Sequence, residues 1–267
     1  MQKRGEMVFS KRGQLTIFII IGIVIIAVAV LIYFIVPKTQ TGAVFDSKNP
    51  NGFIQNCLEK TIQDSVEKIS LQGGSADPEF YDMYQGQRVE YLCYTAENYA
   101  TCVVQRPLLQ EHFETEVEKD ISTEVQSCFN SLMENYQNEG YMTNLEKGKT
   151  LVFLLPNKVL VNFSGYVLNV SKTETSRYNS FSVVLNNNLY ELVNIATSII
   201  DWESRFGDSS PNIYMTYYKN VKVEKMIQSD GTKIYILTDR NSGIKFQFAS
   251  RSVVFPPGIG LQGVSTT

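Results

Sequence analysis

Residues 15–36 read LTIFIIIGIVIIAVAVLIYFIV, and this stretch decides the predicted architecture. From Leu15 to Val36 there is no charged residue. At about 1.5 Å per residue, such a helix is long enough to cross a hydrocarbon layer of roughly 30 Å. A helix that is apolar on every face belongs in a membrane or in the centre of a large core. We therefore predict a single transmembrane helix at residues 14–37.

The charges ahead of this run predict its orientation. Four basic residues and one acidic residue precede it: Lys3, Arg4, Lys11 and Arg12, with Glu6. Because positively charged flanks stay in the cytoplasm, everything after Val36 is expected outside the cell. A signal peptide that is removed whole is the alternative, but its apolar region would span only about 7–15 residues. The expected location is the cell membrane, with a cytoplasmic N-terminus and an extracellular C-terminal domain.

The overall charge argues against one class of partner. The chain carries a net charge of −3, and the part that follows the apolar run is more acidic than the whole. A general nucleic-acid-binding protein would show a basic excess or a basic stripe. We therefore expect no nucleic-acid partner.

Residues 11–22, KRGQLTIFIIIG, resemble the archaeal class III signal peptide of type IV pilin-like proteins. In that family a prepilin-type peptidase cuts between a basic-Gly pair and Gln. The resemblance implies a cytoplasmic leader at residues 1–13, cleavage between Gly13 and Gln14, and a retained helix in membrane lipid. More loosely, the chain is similar to uncharacterised anchored proteins of small-genome archaea, through the segments NCLE at 56–59, LQGG at 71–74 and YLCY at 91–94.

The chain departs from the pilin pattern in two ways. Many pilins carry Glu at the fifth mature position, where this chain has Phe18. A pilin's first helix usually continues beyond the membrane, whereas Pro37, Gly42 and Pro50 interrupt the helical pattern here. An uncleaved signal anchor is the alternative interpretation. The export signal is therefore better supported than assembly into a filament.

The remaining patterns predict an extracellular α+β domain at residues 50–254, joined to the anchor by a linker at 38–49. Apolar residues at three- and four-residue spacing predict two long amphipathic helices, one of about 20 residues starting at Pro50 and one from Pro107 to Asn138. A mostly antiparallel sheet with one further helix, at 189–202, follows. Its strands are predicted at 151–156, 159–170, 181–185, 221–227, 233–238 and 244–249. Residues 255–267 are rich in Pro and Gly and predict a flexible tail.

All four cysteines lie in the predicted extracellular part. An even number in such a location predicts disulfides, and three pairings are open. We favour Cys57–Cys128, on the apolar faces of the two long helices, together with the local pair Cys93–Cys102. Buried free thiols are the alternative. A four-cysteine zinc site would need pairs two to four residues apart, which are absent from this sequence.

No sequence motif predicts catalysis, a cofactor or a metal. The single histidine, His112, is expected in the core or at its boundary, because no partner for metal binding or proton transfer can be located. Gly258, Gly260 and Gly263 match the dinucleotide-binding spacing, yet no helix can follow them so near the end of the sequence. We do not expect an enzyme.

Two further sets of residues are candidates for surface chemistry. Asn162 and Asn169 each begin an Asn-Xaa-Ser sequon for N-glycosylation, and in one straight strand they would point to opposite faces. Trp202 lies between Asp201 and Glu203, as in a sugar-binding platform. We favour a packed tryptophan at a helix boundary as the interpretation of Trp202.

These observations predict a cell-surface protein with a single-pass anchor and an extracellular binding or structural domain. A type IV pilin-like subunit that self-associates is the specific version. A monomeric adhesion or envelope receptor with a surface partner is the alternative, and an anchored hydrolase is the third class. The sequence names no ligand.

Overall fold

The computed structural model describes residues 21–22, 24–26 and 45–254 of the chain. The chain divides into two compact units, Met1–Gly42 and Ala43–Thr267, and only five residues of the first unit are described, all of them helical. The second unit is an α+β domain.

The predicted fold class needs correction at its N-terminal element. Among the described residues, no helix is both long and apolar enough to cross a membrane. The transmembrane helix expected from Leu15 to Val36 is therefore not an element of the described fold, which includes only five residues of that run. The leader, the cleavage position between Gly13 and Gln14 and the tail at 255–267 lie outside the described residues.

Five helices occur in residues 45–254: α1 Pro50–Leu71, α2 Leu109–Asp120, α3 Ser122–Asn138, α4 Leu189–Phe206 and α5 Pro211–Tyr217. Helix α1 begins where the sequence predicts. Asn49 is its N-cap, and the side chain of Asn49 accepts a hydrogen bond of 2.9 Å from the N–H of Gly52. Pro50 occupies the first turn, where its missing N–H costs nothing.

The prediction of a second long helix is wrong, because this segment forms two helices, α2 and α3. The chain breaks at Ile121, whose ψ of −4° ends α2 and precedes α3. Val117, Ile121 and Val125 are nonetheless all buried. The apolar periodicity therefore continues across the break and gives no sign of it.

Twelve strands occur in the same part of the chain: β1 Tyr81–Tyr84, β2 Gln87–Tyr94, β3 Val103–Val104, β4 Met142–Glu146, β5 Lys149–Leu155, β6 Lys158–Ser164, β7 Val167–Ser171, β8 Thr175–Tyr178, β9 Ser182–Asn186, β10 Val221–Ile227, β11 Thr232–Asp239 and β12 Lys245–Arg251. They form three sheets, of order β1-β2-β12-β11-β10 with β3 beside β2, β4-β7-β8, and β5-β6-β9. Every pair is antiparallel except β12 with β2. The α+β class and the mostly antiparallel pairing are therefore confirmed, whereas one sheet with one further helix is wrong, since α4 and α5 accompany three sheets.

The strand predicted at 159–170 is divided between two of these sheets. Gly165 separates β6 from β7 with a φ of +79°, a backbone conformation that favours glycine. Gly148 lies against the same corner, where an added Cβ would come within 2.0 Å of the Ser164 carbonyl oxygen. The corner therefore depends on two glycines that approach each other closely.

One apolar core joins the helices to the sheets. The buried stripe of α1 comprises Phe53, Ile54, Leu58, Ile62, Val66 and Ile69. Cys57 is bonded to Cys128, which ties α1 to α3 with a Cα–Cα distance of 6.1 Å. Cys93 is bonded to Cys102, which ties β2 to the segment before β3. This is the pairing that the sequence favours.

Candidate ligand groove between helix α1 and strand β9

Within the described residues, strand β9 lies at the edge of its sheet and has one neighbour, β6. Two hydrogen bonds show which residues of this strand face β6. The carbonyl of Phe181 accepts from the N–H of Phe163 at 3.0 Å, and the N–H of Asn187 donates to the carbonyl of Asn157 at 3.1 Å. In an antiparallel pair, alternate residues turn their backbone groups away from the neighbour. Ser182, Val184 and Asn186 therefore present N–H and C=O groups on the open side of β9.

Side chains of α1 occupy the first two of these three positions. The N–H of Ser182 donates to Oδ1 of Asn51 at 2.8 Å. The N–H of Val184 donates to Oε1 of Gln55 at 3.1 Å, and Nε2 of Gln55 donates back to the carbonyl of Val184 at 3.3 Å. A side-chain amide thus makes both hydrogen bonds that the backbone of a further strand would make. At Asn186, no side chain from the described part of the chain does the same.

The third position opens into a groove of about 610 Å³. Its lining comes from α1, the end of β9 and the turn before β12, and comprises Glu59, Gln63, Val66, Glu67, Ser70, Leu71, Val184, Leu185, Asn186, Asn187, Ser242, Gly243, Ile244 and Lys245. Asn51, Gln55, Glu59, Gln63 and Glu67 recur every fourth residue along α1. The first two of this set cover the edge of β9, and the last three line the groove.

The wall opposite α1 is fixed by Asp239. Its Oδ2 accepts from Nδ2 of Asn188 at 2.9 Å, just after β9, and its Oδ1 accepts from the N–H of Asn241 at 2.7 Å. Burial alone would raise the pKa of Asp239, but the hydrogen bonds from Asn188, Asn241 and Ser242 outweigh it, so the pKa lies below its usual value. The ionised carboxylate holds the turn between β11 and β12 beside the end of β9.

The end of α1 is attached to the same sheet. Nε2 of Gln247, on β12, donates to the carbonyl oxygen of Leu71. The chain then leaves the helix through Gly73 and Gly74, whose φ angles are +84° and +103°. A direct hydrogen bond therefore joins the end of α1 to β12, the strand that follows the opposite wall.

Charge in the groove is uneven. Glu59 and Glu67 are exposed on the α1 wall, and Lys245 is exposed on the opposite wall. The carboxylate of Glu59 also accepts from Nε2 of Gln55 at 3.4 Å, which orients the amide that covers Val184. The α1 wall thus carries two negative charges, and its apolar contacts come from residues such as Val66.

A second polar cluster surrounds the histidine. Oγ of Ser75 donates to Oε2 of Glu90 at 2.5 Å and lies 2.8 Å from Nε2 of His112. Arg106 donates to the other oxygen of Glu90 from Nε at 3.0 Å and from Nη2 at 2.6 Å. Burial raises the pKa of Glu90, against the hydrogen bonds from Ser75 and Arg106. Burial, followed by the charge of Arg106, lowers the pKa of His112.

This cluster contains a serine and a histidine in contact, but the hydrogen bond between them runs in the wrong direction to activate the serine as a nucleophile. Because Ser75 gives its proton to Glu90, its oxygen accepts from His112, the reverse of the direction in which a histidine activates a serine. Ser75 and Glu90 are also buried, so the cluster ties the loop after α1 to β2 and α2. The expectation of a histidine at the core boundary agrees with its partial burial.

The acids beside Trp202 diverge. Asp201 pairs with Arg205 at 2.9 Å on the surface, whereas Glu203 is fully buried and pairs with Lys233 at 2.7 Å. Trp202 is 44% exposed and lies against Phe206, with ring centroids 4.6 Å apart. The three residues therefore do not converge on one site, and Trp202 forms a partly exposed aromatic pair with Phe206 at the end of α4.

The two glycosylation sequons lie on different strands of the fold. Asn162 lies on β6 and Asn169 on β7, both half-buried, so the single straight strand assumed for them is wrong. Glycosylation at either stays a prediction. Within the described residues, no group of three or more His, Cys, Asp or Glu side chains could hold a metal ion.

The groove was not predicted from the sequence. Its residues come from three segments that are distant along the chain, and the sequence marks only one of them, through the four-residue spacing of polar residues on α1. Comparisons with protein-family models, with curated proteins and with solved structures found no match to the chain.

Proposed function

We propose that residues 45–254 form an extracytoplasmic binding domain of a cell-surface protein, and that the groove beside β9 is its binding site. The groove carries this proposal, because it combines an open strand edge at Asn186 with walls that hydrogen bonds hold in place. Its volume of about 610 Å³ lies within the range of roughly 300–1,000 Å³ that is typical of ligand sites.

The two disulfides support a location outside the cytoplasm. Disulfides persist in oxidising compartments and are rare where thiols are kept reduced. Both pairs are buried or half-buried and join separate elements of the domain. Anchoring through the run from Leu15 to Val36, processing by a prepilin-type peptidase and self-association as a pilin-like subunit stay predictions from the sequence.

Binding is favoured over hydrolysis by the state of the polar clusters. The donors and acceptors around Ser75 and around Glu203 bond to one another, and neither residue lines the groove. A catalytic group needs a reacting atom within its reach. The groove instead presents amides, hydroxyls and carboxylates on a fixed frame, which suits recognition.

A blocking substitution tests the groove. Gln63→Trp would fill it from the exposed side of α1, and Gln126→Trp adds the same side chain on the exposed face of α3. A set of short peptides and oligosaccharides is screened for compounds that raise the melting temperature of the full-length chain. Hits should persist with Gln126→Trp and disappear with Gln63→Trp. Hits that all survive Gln63→Trp would place the binding site elsewhere.

A thiol assay tests the location. Intact cells expressing the chain are treated with a membrane-permeant alkylating reagent, and the protein is then denatured and its mass measured without reduction. Four unmodified cysteines are expected, because both disulfides should be formed in the cell. Cysteines that are alkylated in the intact cells would contradict an oxidising location.

A further inference from the structure

We infer that the groove takes an extended peptide segment of a partner protein, which pairs with the edge of β9 at Asn186 and places a basic side chain against the α1 wall. This inference rests on the proposed function of the groove and adds the class of ligand. Peptides that extend an exposed sheet edge gain main-chain hydrogen bonds from it and specificity from pockets for alternate side chains.

The edge already binds an amide in this way. The side chain of Gln55 accepts from the N–H of Val184 and donates to its carbonyl oxygen, at 3.1 and 3.3 Å. These are the two hydrogen bonds that an antiparallel strand exchanges with a residue facing it. Asn186, two residues further on, turns the same pair of groups to the open side and is itself exposed. A peptide backbone can therefore continue the ladder where Gln55 ends it.

The opposite wall offers a second strand edge. The N–H of Asp239 donates to the carbonyl of Ile244 at 2.9 Å, so alternation along β12 turns the backbone groups of Lys245 away from β11. Strand β2 pairs with β12 only from Ala249 onward. Backbone donors and acceptors thus face the groove at Lys245 as well as at Asn186, and the bound segment pairs with those of Asn186.

Charge selects the side chain of the peptide. Glu59 and Glu67 lie two helical turns apart on the α1 wall, with Gln63 between them. A lysine or arginine of the bound segment that faces α1 would lie between two carboxylates, while an acidic residue would be repelled. Lys245 lies across the groove, so the next residue of the bound segment, which faces that wall, can be acidic or polar.

Labelled peptides test the inference on the full-length oxidised chain. The probe is a fluorescein-labelled hexapeptide, Thr-Val-Lys-Val-Thr-Val, and its comparison peptide has glutamate in place of lysine. Two more probes carry one N-methyl group each, on adjacent backbone nitrogens at the centre. Because alternate N–H groups of a strand face the same side, methylation of one nitrogen should weaken binding about tenfold and methylation of the other about twofold or less.

Charge reversal locates the peptide. The lysine peptide should bind about threefold or more tightly than the glutamate peptide, as expected for exposed ion pairs. The double variant Glu59→Lys/Glu67→Lys should invert that order. Glu134→Lys, at an exposed position on α3, is the matched control and should leave the order unchanged.

The outcomes separate the peptide inference from the proposed function. Binding that follows both the methylation and the charge pattern supports the inference. If an oligosaccharide binds and Gln63→Trp abolishes it while no peptide binds, the inference is overturned and the groove remains the binding site. Peptides that bind Gln63→Trp as well as the wild-type chain overturn both.

Discussion

The buried ion pair of Glu203 and Lys233 allows a quantitative prediction of how much its loss lowers the free energy of unfolding. The carboxylate of Glu203, near the end of α4, is fully buried and accepts from Nζ of Lys233 at 2.7 Å and from the hydroxyl of Tyr235 at 2.5 Å. It also accepts from the N–H of Ser209 at 3.0 Å and the hydroxyl of Ser250 at 3.1 Å. Glu203→Gln removes the charge and keeps the shape.

The expected cost follows from the charge left behind. Removing one partner of a buried ion pair typically costs about 3–5 kcal/mol, because the remaining charge stays desolvated. Asp208 lies 3.1 Å from Nζ of Lys233 and is partly exposed, so it compensates in part. We therefore expect Glu203→Gln to lower the free energy of unfolding by about 3 kcal/mol, at the lower end of that range.

A double-mutant cycle distinguishes a coupled pair from two separate losses. The variants are Glu203→Met, Lys233→Met and both together, with Glu134→Gln on the exposed face of α3 as a control within about 0.5 kcal/mol of wild type. The double variant should be less destabilised than the sum of the single variants by about 2 kcal/mol. Urea unfolding of the oxidised chain gives each value. Additive costs, or a cost of Glu203→Gln below about 1 kcal/mol, would refute the reasoning.

Three further predictions concern the disulfide and two titrating groups. Replacing Cys57 and Cys128 by serine should lower the free energy of unfolding by about 4 kcal/mol in urea, because the bond closes a loop with a sequence separation of 71. The lowered pKa of Asp239 means that its contribution is present above its unfolded pKa of about 3.9 and is lost as pH falls. Asp239→Asn should therefore be less stable than wild type at pH 7, and the difference in urea midpoint should shrink below about pH 4. The lowered pKa of His112 means that its neutral form is favoured in the fold, so stability is lost as pH falls below about 6.5. His112→Gln should unfold with a flatter dependence on pH below about 6.5.

Local signals account for the parts of the fold that the sequence predicted. Asn49 and Pro50 mark the start of α1 because a cap and a first-turn proline act within a few residues. The meander of β10, β11 and β12 follows from turn chemistry, and Gly231 and Gly243 adopt the positive φ that their turns require. The disulfide between Cys57 and Cys128 follows from two apolar stripes.

The errors arise where an apolar pattern continues through a change in the backbone. Ile121 is buried like its neighbours Val117 and Val125, so helical periodicity conceals the end of α2. At Gly165 the apolar character of β6 passes directly into β7, although the two strands belong to different sheets. The hydrophobic pattern reports burial, and buried residues flank each break, Val117 and Val125 around Ile121 and Phe163 and Tyr166 around Gly165.

The groove follows from the unequal geometries of a helix and a strand. Four residues of α1 advance about 6 Å, and two residues of β9 advance about 6.7 Å, so Asn51 and Gln55 match Ser182 and Val184. Each four-residue step also turns the helix about 40°, and by Glu59 the side chain has rotated roughly 80° from Asn51. This rotation carries the third side chain, Glu59, away from the backbone of Asn186, and no described side chain bonds to that backbone. Glu59→Gln should accordingly leave the backbone groups of Asn186 open to a ligand.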